Sequence, residues 1–107
     1  PRPQPVMPAE LQRWLGGERQ VHLYDLRSAA ERAQASLAQA EVMAAGGELA
    51  ALGELPTDAT IVLFCHHGLQ SGSAAARLCR AGYTEVHVLT GGIDAWAAEI
   101  DPSVPRY

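Results

Sequence analysis

The stretch TIVLFCHHGLQS, residues 60–71, decides the fold of this chain. It opens with a continuous apolar, β-rich run, which predicts a strand buried on both faces of a parallel sheet. The run ends at Cys65, and a short loop then leads to Ser71, where a helix is predicted to begin. Functional sites of open parallel sheets lie at the carboxyl ends of the strands, so Cys65 occupies a position where chemistry is expected.

The sequence on both sides of this stretch alternates strands with helices. Ser28 and Glu31 have the spacing of a capping box, which predicts the start of a helix directly after a strand. Strands are predicted over residues 21–25 and 86–89, and helices over residues 9–15, 47–52, 71–81 and 93–100. Such short intervals between strands and helices need crossover connections, so the expected fold class is α/β with a parallel sheet.

Length and proline placement indicate one folded domain with extended ends. A chain of 107 residues is long enough for one compact core and too short for two domains with a cleft between them. Six of the seven prolines lie within residues 1–8 and 102–105, which favours extended backbone there. We therefore expect an extended N-terminal flank over residues 1–7 and a single domain over residues 8–107.

Composition excludes several classes of function. The net charge is −4, and all eight basic residues are scattered arginines, so the clustered charge of a nucleic-acid-binding surface is missing. Without lysine, the chain has neither a Schiff-base lysine nor the lysine of a nucleotide phosphate loop. No apolar run approaches the roughly 20 residues of a membrane span. Two cysteines are too few for a disulfide scaffold, which favours a reducing cytoplasm. Taken with the charge and the short apolar runs, this predicts a soluble cytoplasmic protein without nucleic-acid or membrane partners.

The loop after Cys65 has the features of an anion-binding turn. Backbone N–H groups in a tight loop before a helix can converge on one point, and the partial positive charge of the helix N-terminus adds to them. An anion at the Cys65 sulfur is favoured there, so a reactive thiolate is expected. We predict Cys65 as the catalytic nucleophile. The predicted substrate-binding loop consists of His66, His67, Gly68, Leu69, Gln70 and Ser71.

Several motifs make the chain resemble the rhodanese-like domains. They are Asp25-Leu26-Arg27 followed by Glu31, Cys65-x-x-Gly68, Ala75 and Leu78 followed by Gly82-Tyr83, and Leu89-x-Gly91-Gly92-x-x-Ala95-Trp96, in family order and spacing. Residues 101–107 also resemble the tails of some small members. The resemblance implies a five-stranded parallel sheet flanked by helices on both faces, and a persulfide on Cys65. It also implies transfer of a sulfane sulfur from thiosulfate or a low-molecular-weight persulfide to a thiol or cyanide acceptor, without a cofactor.

Two departures from that family bear on the reaction. Active members usually carry arginine at the sixth loop position, which is Gln70 here, so the loop lacks the cation that would bind a doubly charged sulfur oxyanion. Weak use of thiosulfate is therefore expected. The family's first motif usually continues as His-Ile-x-Gly-Ala, whereas residues 36–40 read Ser-Leu-Ala-Gln-Ala, which predicts a locally altered first half.

The roles of Asp25, Arg27 and Cys79 each allow two interpretations from the sequence. Asp25 and Arg27 could line the active site. Alternatively, Arg27 could form an ion pair with Glu31 that stabilises the segment after the predicted strand. Cys79 lies on the apolar side of a predicted helix, which favours core packing over the role of a resolving thiol.

Adjacent histidines beside the cysteine raise the question of a metal site. Three neighbouring residues rarely point at one ion, and no Cys-x-x-Cys or His-x-x-x-His spacing supplies further ligands. We therefore expect no metal. Of His66 and His67, one imidazole is expected at the pocket rim, where its protonated form supports the thiolate, and the other in solvent.

Two other functions compete with sulfur transfer. A non-turnover persulfide-relay or binding module is compatible with Gln70. A cysteine phosphatase or arsenate reductase would need a longer loop and a closing arginine that clamps a tetrahedral oxyanion, whereas the loop from Cys65 ends in an amide. The expected partners are a small-molecule sulfur donor and a thiol acceptor, and the sequence identifies no protein acceptor.

Overall fold

A parallel sheet forms the middle layer of the structure. The computed structural model describes residues 2–44 and 46–107. The strands lie in the order β1-β5-β4-β2-β3, with β1 at Gln4–Val6, β2 at His22–Asp25, β3 at Glu41–Val42, β4 at Thr60–Phe64 and β5 at Glu85–Leu89. The helices are α1 at Pro8–Arg13, extended by a wider turn at Trp14–Glu18, α2 at Ala29–Gln34, α3 at Glu48–Leu52, α4 at Ser71–Arg80 and α5 at Gly92–Glu99. Among the described residues, none of the helices has the length and apolar character needed to cross a bilayer.

The central strand β4 separates two hydrophobic cores. All its residues are buried, and successive side chains point to opposite faces of the sheet. Ile61 and Leu63 belong to the core that also contains the apolar residues of α3 and α4, whereas Val62 and Phe64 belong to the core shared with α1 and α5. The predicted α/β fold, with a five-stranded parallel sheet and helices on both faces, is confirmed.

The N-terminal residues belong to the sheet, which corrects the expected flank over residues 1–7. Gln4–Val6 pairs in parallel with β5, with Val6 opposite Leu89, and the Val6 side chain is fully buried. The backbone is extended there, as the prolines indicated. However, Val6 fills the core between the sheet and α1, and its strand covers the outer side of β5. The folded body therefore includes β1 instead of starting at Pro8.

The C-terminal residues 101–107 fold back over α5. The backbone N–H groups of Ile100 and Asp101 both donate to the Trp96 carbonyl, which ends the helix. Val104 is then buried in the core of α1 and α5. This return brings Tyr107 to the carboxyl end of the sheet.

His87 on β5 is a buried histidine. The residue is 4% exposed, its ring meets Trp14 edge-on with centroids 5.1 Å apart, and its Nε2 lies 3.4 Å from Glu85 Oε1. Burial lowers the pKa of His87, and the hydrogen bond to Glu85 opposes this effect. The unfolded chain takes up a proton at about pH 6.5, whereas folded His87 resists protonation at that pH. The stability that His87 contributes is thus present at neutral pH and is lost as the pH falls below that value.

We expect His87→Gln to flatten the acid dependence of stability. The measurement is the free energy of unfolding in urea between about pH 7.5 and about pH 5.5. One proton contributes at most about 1.4 kcal/mol per pH unit to the slope. His22→Gln, at a half-buried histidine, is measured alongside as the matched control for replacing a histidine by glutamine. Equal slopes for the wild type and His87→Gln would contradict the assignment.

Candidate active site

Cys65 lies where β4 meets the loop before α4. Because β4 runs between β2 and β5, its carboxyl end lies in the middle of that edge of the sheet. The cysteine is 1% exposed, and its Sγ accepts a hydrogen bond from the backbone N–H of Gln70 at 3.3 Å. The hydroxyl of Ser71, a fully buried residue, lies 3.5 Å from the same sulfur. The start of α4 therefore supplies two polar groups that can stabilise a sulfur anion.

The loop is fixed from its other side by α5. The Ile93 N–H donates to the Cys65 carbonyl at 2.9 Å. The Asp94 N–H donates to the His66 carbonyl at 3.1 Å. Gly92, with φ +62°, permits this approach because a Cβ there would collide with both carbonyls. The Gly-Gly turn before α5 thus holds the nucleophile loop in place.

The loop itself carries N–H groups that are free to bind a ligand. Gly68 has φ +90°, and a Cβ there would come within 3.2 Å of the backbone nitrogen of Gly91. In the described part of the chain, the backbone N–H groups of residues 66–69 donate to no protein acceptor. Successive backbone N–H groups in a tight turn can bind an anion, and the Gln70 N–H already donates to the Cys65 sulfur.

A cavity of about 200 Å³ borders the cysteine. The residues that line it are Glu31, Cys65, His66, His67, Leu69 and Gln70. The predicted loop residues Gly68 and Ser71 do not line the cavity. Ser71 instead contacts the sulfur, and Gly68 packs against the turn before α5.

Asp25 and Arg27 form a buried ion pair outside the cavity lining. Arg27 donates to both Asp25 oxygens, from Nη2 at 2.7 Å and from Nε at 3.0 Å, and the two side chains are 0% and 3% exposed. The alternative ion pair between Arg27 and Glu31 is wrong, because the only Glu31 atom that Arg27 Nη1 contacts is the backbone carbonyl oxygen, at 3.3 Å. A fully buried guanidinium needs a carboxylate buried with it, and Asp25 at the end of β2 provides one.

Tyr107 reaches the site through both its ring and its hydroxyl. The ring stacks on His66 with centroids 3.9 Å apart, and His66 stacks on His67 at 3.9 Å. The hydroxyl accepts from Arg27 Nη1 at 2.9 Å and donates to Glu31 Oε2 at 2.9 Å. Burial raises the pKa of Tyr107, so the hydroxyl remains a donor at neutral pH. Tyr107 therefore connects the loop, the buried ion pair and Glu31. In the sequence, the only indication of this role was that residues 101–107 resemble the tails of some small members of the family.

Glu31 places a carboxylate on the cavity wall at the start of α2. The predicted capping box is confirmed, since the Glu31 N–H donates to Ser28 Oγ and the Ser28 N–H donates to Glu31 Oε1, both at 3.2 Å. The backbone hydrogen bond from Ser28, followed by the Tyr107 hydroxyl, holds the pKa of Glu31 below its ordinary value. This position of Glu31 on the cavity wall was not predicted from the sequence. The usable signal was that α2 begins just after β2, at the same sheet edge as Cys65.

His66, His67 and Asp94 lie close together beside the loop. One potential ligand atom of each residue lies within 4.8 Å of the others. The Asp94 carboxylate is already bound by two N–H groups of Arg106, at 2.9 and 3.1 Å. His66 is partly buried at the cavity and His67 is exposed. The expectation that the site works without a metal stays a prediction.

Cys79 lies away from this site in the core of α3 and α4. Its side chain is buried with Ala75 and Leu78 in the same cluster. Burial raises the pKa of the Cys79 thiol, which favours its neutral form. The predicted core-packing position of Cys79 is confirmed.

The fold and the cysteine loop define a class of protein. A family model for the rhodanese-like domain matches residues 7–99, and the chain belongs to this family. The predicted resemblance is confirmed.

Relatives and solved structures agree with this membership. The probable adenylyltransferase/sulfurtransferase MoeZ of Mycobacterium tuberculosis is 34% identical over 106 residues, which cover 95% of this chain and 26% of that protein, so the chain spans about a quarter of that relative's length. A sulfurtransferase of Allochromatium vinosum is 38% identical over 77 residues, which cover 72% of each protein. The crystal structure of a rhodanese-related protein from Thermoplasma volcanium has a TM-score of 0.77 at 22% identity, covers 97% of this chain and 99% of the other, and supports the fold.

Proposed function

We propose that this domain transfers sulfane sulfur through a persulfide on Cys65. One observation carries the proposal: the Cys65 sulfur lies at the junction of β4 and α4, within reach of the Gln70 N–H and the Ser71 hydroxyl. Relatives named as sulfurtransferases support the reaction class.

Two displacements complete the cycle. The Cys65 thiolate attacks the outer sulfur of a donor R–S–SH, the donor's S–S bond breaks, and the bonding electrons leave with R–S⁻. Cys65–S–SH remains. The thiolate of the acceptor then attacks the outer sulfur, forms a new persulfide and releases Cys65 as a thiolate. Each step exchanges one S–S bond for another, so no cofactor is required. Loop N–H groups stabilise the negative charge on sulfur in both steps.

The cavity favours a low-molecular-weight persulfide over thiosulfate as donor. No arginine is among the cavity-lining residues of the described chain, and Glu31 contributes a negative charge. Arg27 is paired with Asp25 and is buried. A dianion would therefore meet no guanidinium in the cavity. A small thiol acceptor and a reducing cytoplasmic setting complete the proposal, supported by two free cysteines.

The lack of an arginine among the described residues that line the cavity also argues against phosphatase chemistry. A tetrahedral oxyanion is usually clamped by a bidentate arginine. The last position of this loop is Gln70, which has no guanidinium and whose backbone N–H donates to the Cys65 sulfur.

Gln70→Arg is expected to change donor use in a donor-specific way. A charge-assisted contact contributes roughly 1.5–3 kcal/mol, so thiosulfate turnover should rise by about a decade or more. Glutathione persulfide turnover should change less, because the donor does not depend on binding a sulfonate group. The measurement is sulfur release to a thiol acceptor with each donor for the wild type and the variant.

Gln70→Met, of similar length and without charge, is the matched control and should not gain thiosulfate turnover. A wild type that uses thiosulfate better than the persulfide would contradict the proposed donor. Sulfur loading of Cys65 without release to a small thiol acceptor would identify a non-turnover relay or binding module in place of an enzyme.

A further inference from the structure

Glu31 is the one carboxylate among the described residues that line the cavity beside Cys65. We propose that Glu31 determines donor specificity by binding the ammonium group of a small amino-persulfide. The inference rests on the proposed sulfur transfer and names the class of donor that the site prefers.

The Glu31 carboxylate is held in place and still has room for another donor. Oε1 accepts from the Ser28 N–H and lies 3.2 Å from the Ser28 hydroxyl, while Oε2 accepts from the Tyr107 hydroxyl at 2.9 Å. A carboxylate oxygen can accept two hydrogen bonds, so Oε2 retains an accepting position. The rotamer is thus fixed before a donor arrives, which lowers the entropic cost of binding.

In the described part of the chain, no arginine lines the cavity beside this carboxylate. The other polar groups of the lining are two imidazoles and the Gln70 amide. Arg27, whose charge also acts on Glu31, is paired with Asp25 and donates to the Ala35 carbonyl and to the Tyr107 hydroxyl. Because the fixed charge of the wall is negative, a donor with an ammonium group is attracted and a dianion is repelled.

The cavity size sets the length of the donor. A space of about 200 Å³ accommodates a chain of a few heavy atoms whose outer sulfur meets Cys65 and whose other end meets Glu31. Cysteamine persulfide and cysteine persulfide have this form, with an ammonium group two carbons from the inner sulfur.

The experiment compares two donors that differ at one end. Cysteamine persulfide ends in an ammonium group, and 2-mercaptoethanol persulfide has the same length and ends in a hydroxyl. The rate of the first sulfur transfer to Cys65 is followed by intact mass under single-turnover conditions. The wild-type rate ratio, ammonium donor over hydroxyl donor, should exceed the ratio for Glu31→Gln by about fivefold, the equivalent of an ion pair of ~1 kcal/mol.

Glu31→Gln suits this test because glutamine can replace glutamate in a capping box. Dividing the two ratios cancels the intrinsic difference between the leaving thiols. Glu99→Gln, an exposed residue on α5 outside the cavity lining, removes the same charge and should keep the wild-type ratio. As a second measurement on the unmodified protein, added salt should reduce the preference for the ammonium donor.

Equal ratios for the wild type and Glu31→Gln, or a wild-type preference that salt leaves unchanged, would overturn the role of Glu31 while leaving sulfur transfer intact. If neither donor adds sulfur to wild-type Cys65, the proposed function itself fails.

Discussion

Cys65→Ser is expected to abolish sulfur loading of the protein. After incubation with a sulfane donor, the wild type should gain the mass of one sulfur atom, and the variant should gain none. The hydroxyl of serine is of similar size, but it is not ionised near neutral pH and is a poor nucleophile without an adjacent base. The fold should persist, because the contact with Ser71 can also be made by an oxygen. Intact-mass spectrometry before and after reduction is the measurement.

Cys79→Ala is the matched control because it removes the other cysteine of the chain. Its thiol is buried and held neutral, so the variant should still acquire one sulfur atom. A sulfur adduct that survives Cys65→Ser would locate the chemistry at another residue.

Arg27→Ala is expected to cause the largest loss of stability. The change leaves the buried Asp25 carboxylate without its counter-ion, with only the backbone N–H of residue 27 still donating to it, and removes the donors to Ala35 and Tyr107. Breaking a buried ion pair by removing one partner costs about 3–5 kcal/mol. That loss is a large part of the 5–15 kcal/mol by which a typical domain is stable. The free energy of unfolding in urea is the measurement.

Arg80→Ala provides the comparison, because Arg80 is an exposed arginine on α4. A surface change of this kind should alter stability by no more than about 0.5 kcal/mol. The double variant Asp25→Ala, Arg27→Ala should recover part of the loss, since it leaves no unpaired carboxylate. If Arg27→Ala costs no more than Arg80→Ala, the buried network does not stabilise the domain.

The elements with strong local patterns could be predicted from the sequence. The apolar run of β4 and the capping box of α2 carry their signal within a few neighbouring residues. β1 and β3 are three and two residues long, too short for a period to show. They become strands because β5 and β2 offer them hydrogen-bonding partners. Such pairing depends on the assembled sheet, and local propensity does not reveal it.

The site was predictable to the extent that it is local. Cys65 and its loop follow one another in sequence, and the rule about strand ends places them at the functional edge. Tyr107 stands 76 residues from Glu31, so no spacing rule joins the two side chains. Arg27 pairs with Asp25 and not with Glu31 because Asp25 is buried with it. The sequence does not decide between them, since Asp25 lies two residues before Arg27 and Glu31 four residues after it.

The two edges of the sheet affect the tendency of the protein to aggregate at high concentration. A strand from another molecule can extend a sheet only where it finds a run of free N–H and C=O groups. Along the outer edge at β1, Pro5 supplies no N–H, and Pro3 precedes the strand. The opposite edge at β3 offers a ladder of two residues. Each edge is thus blunted against edge-to-edge aggregation, and the proline-rich start of the chain serves as protection for the sheet that it joins.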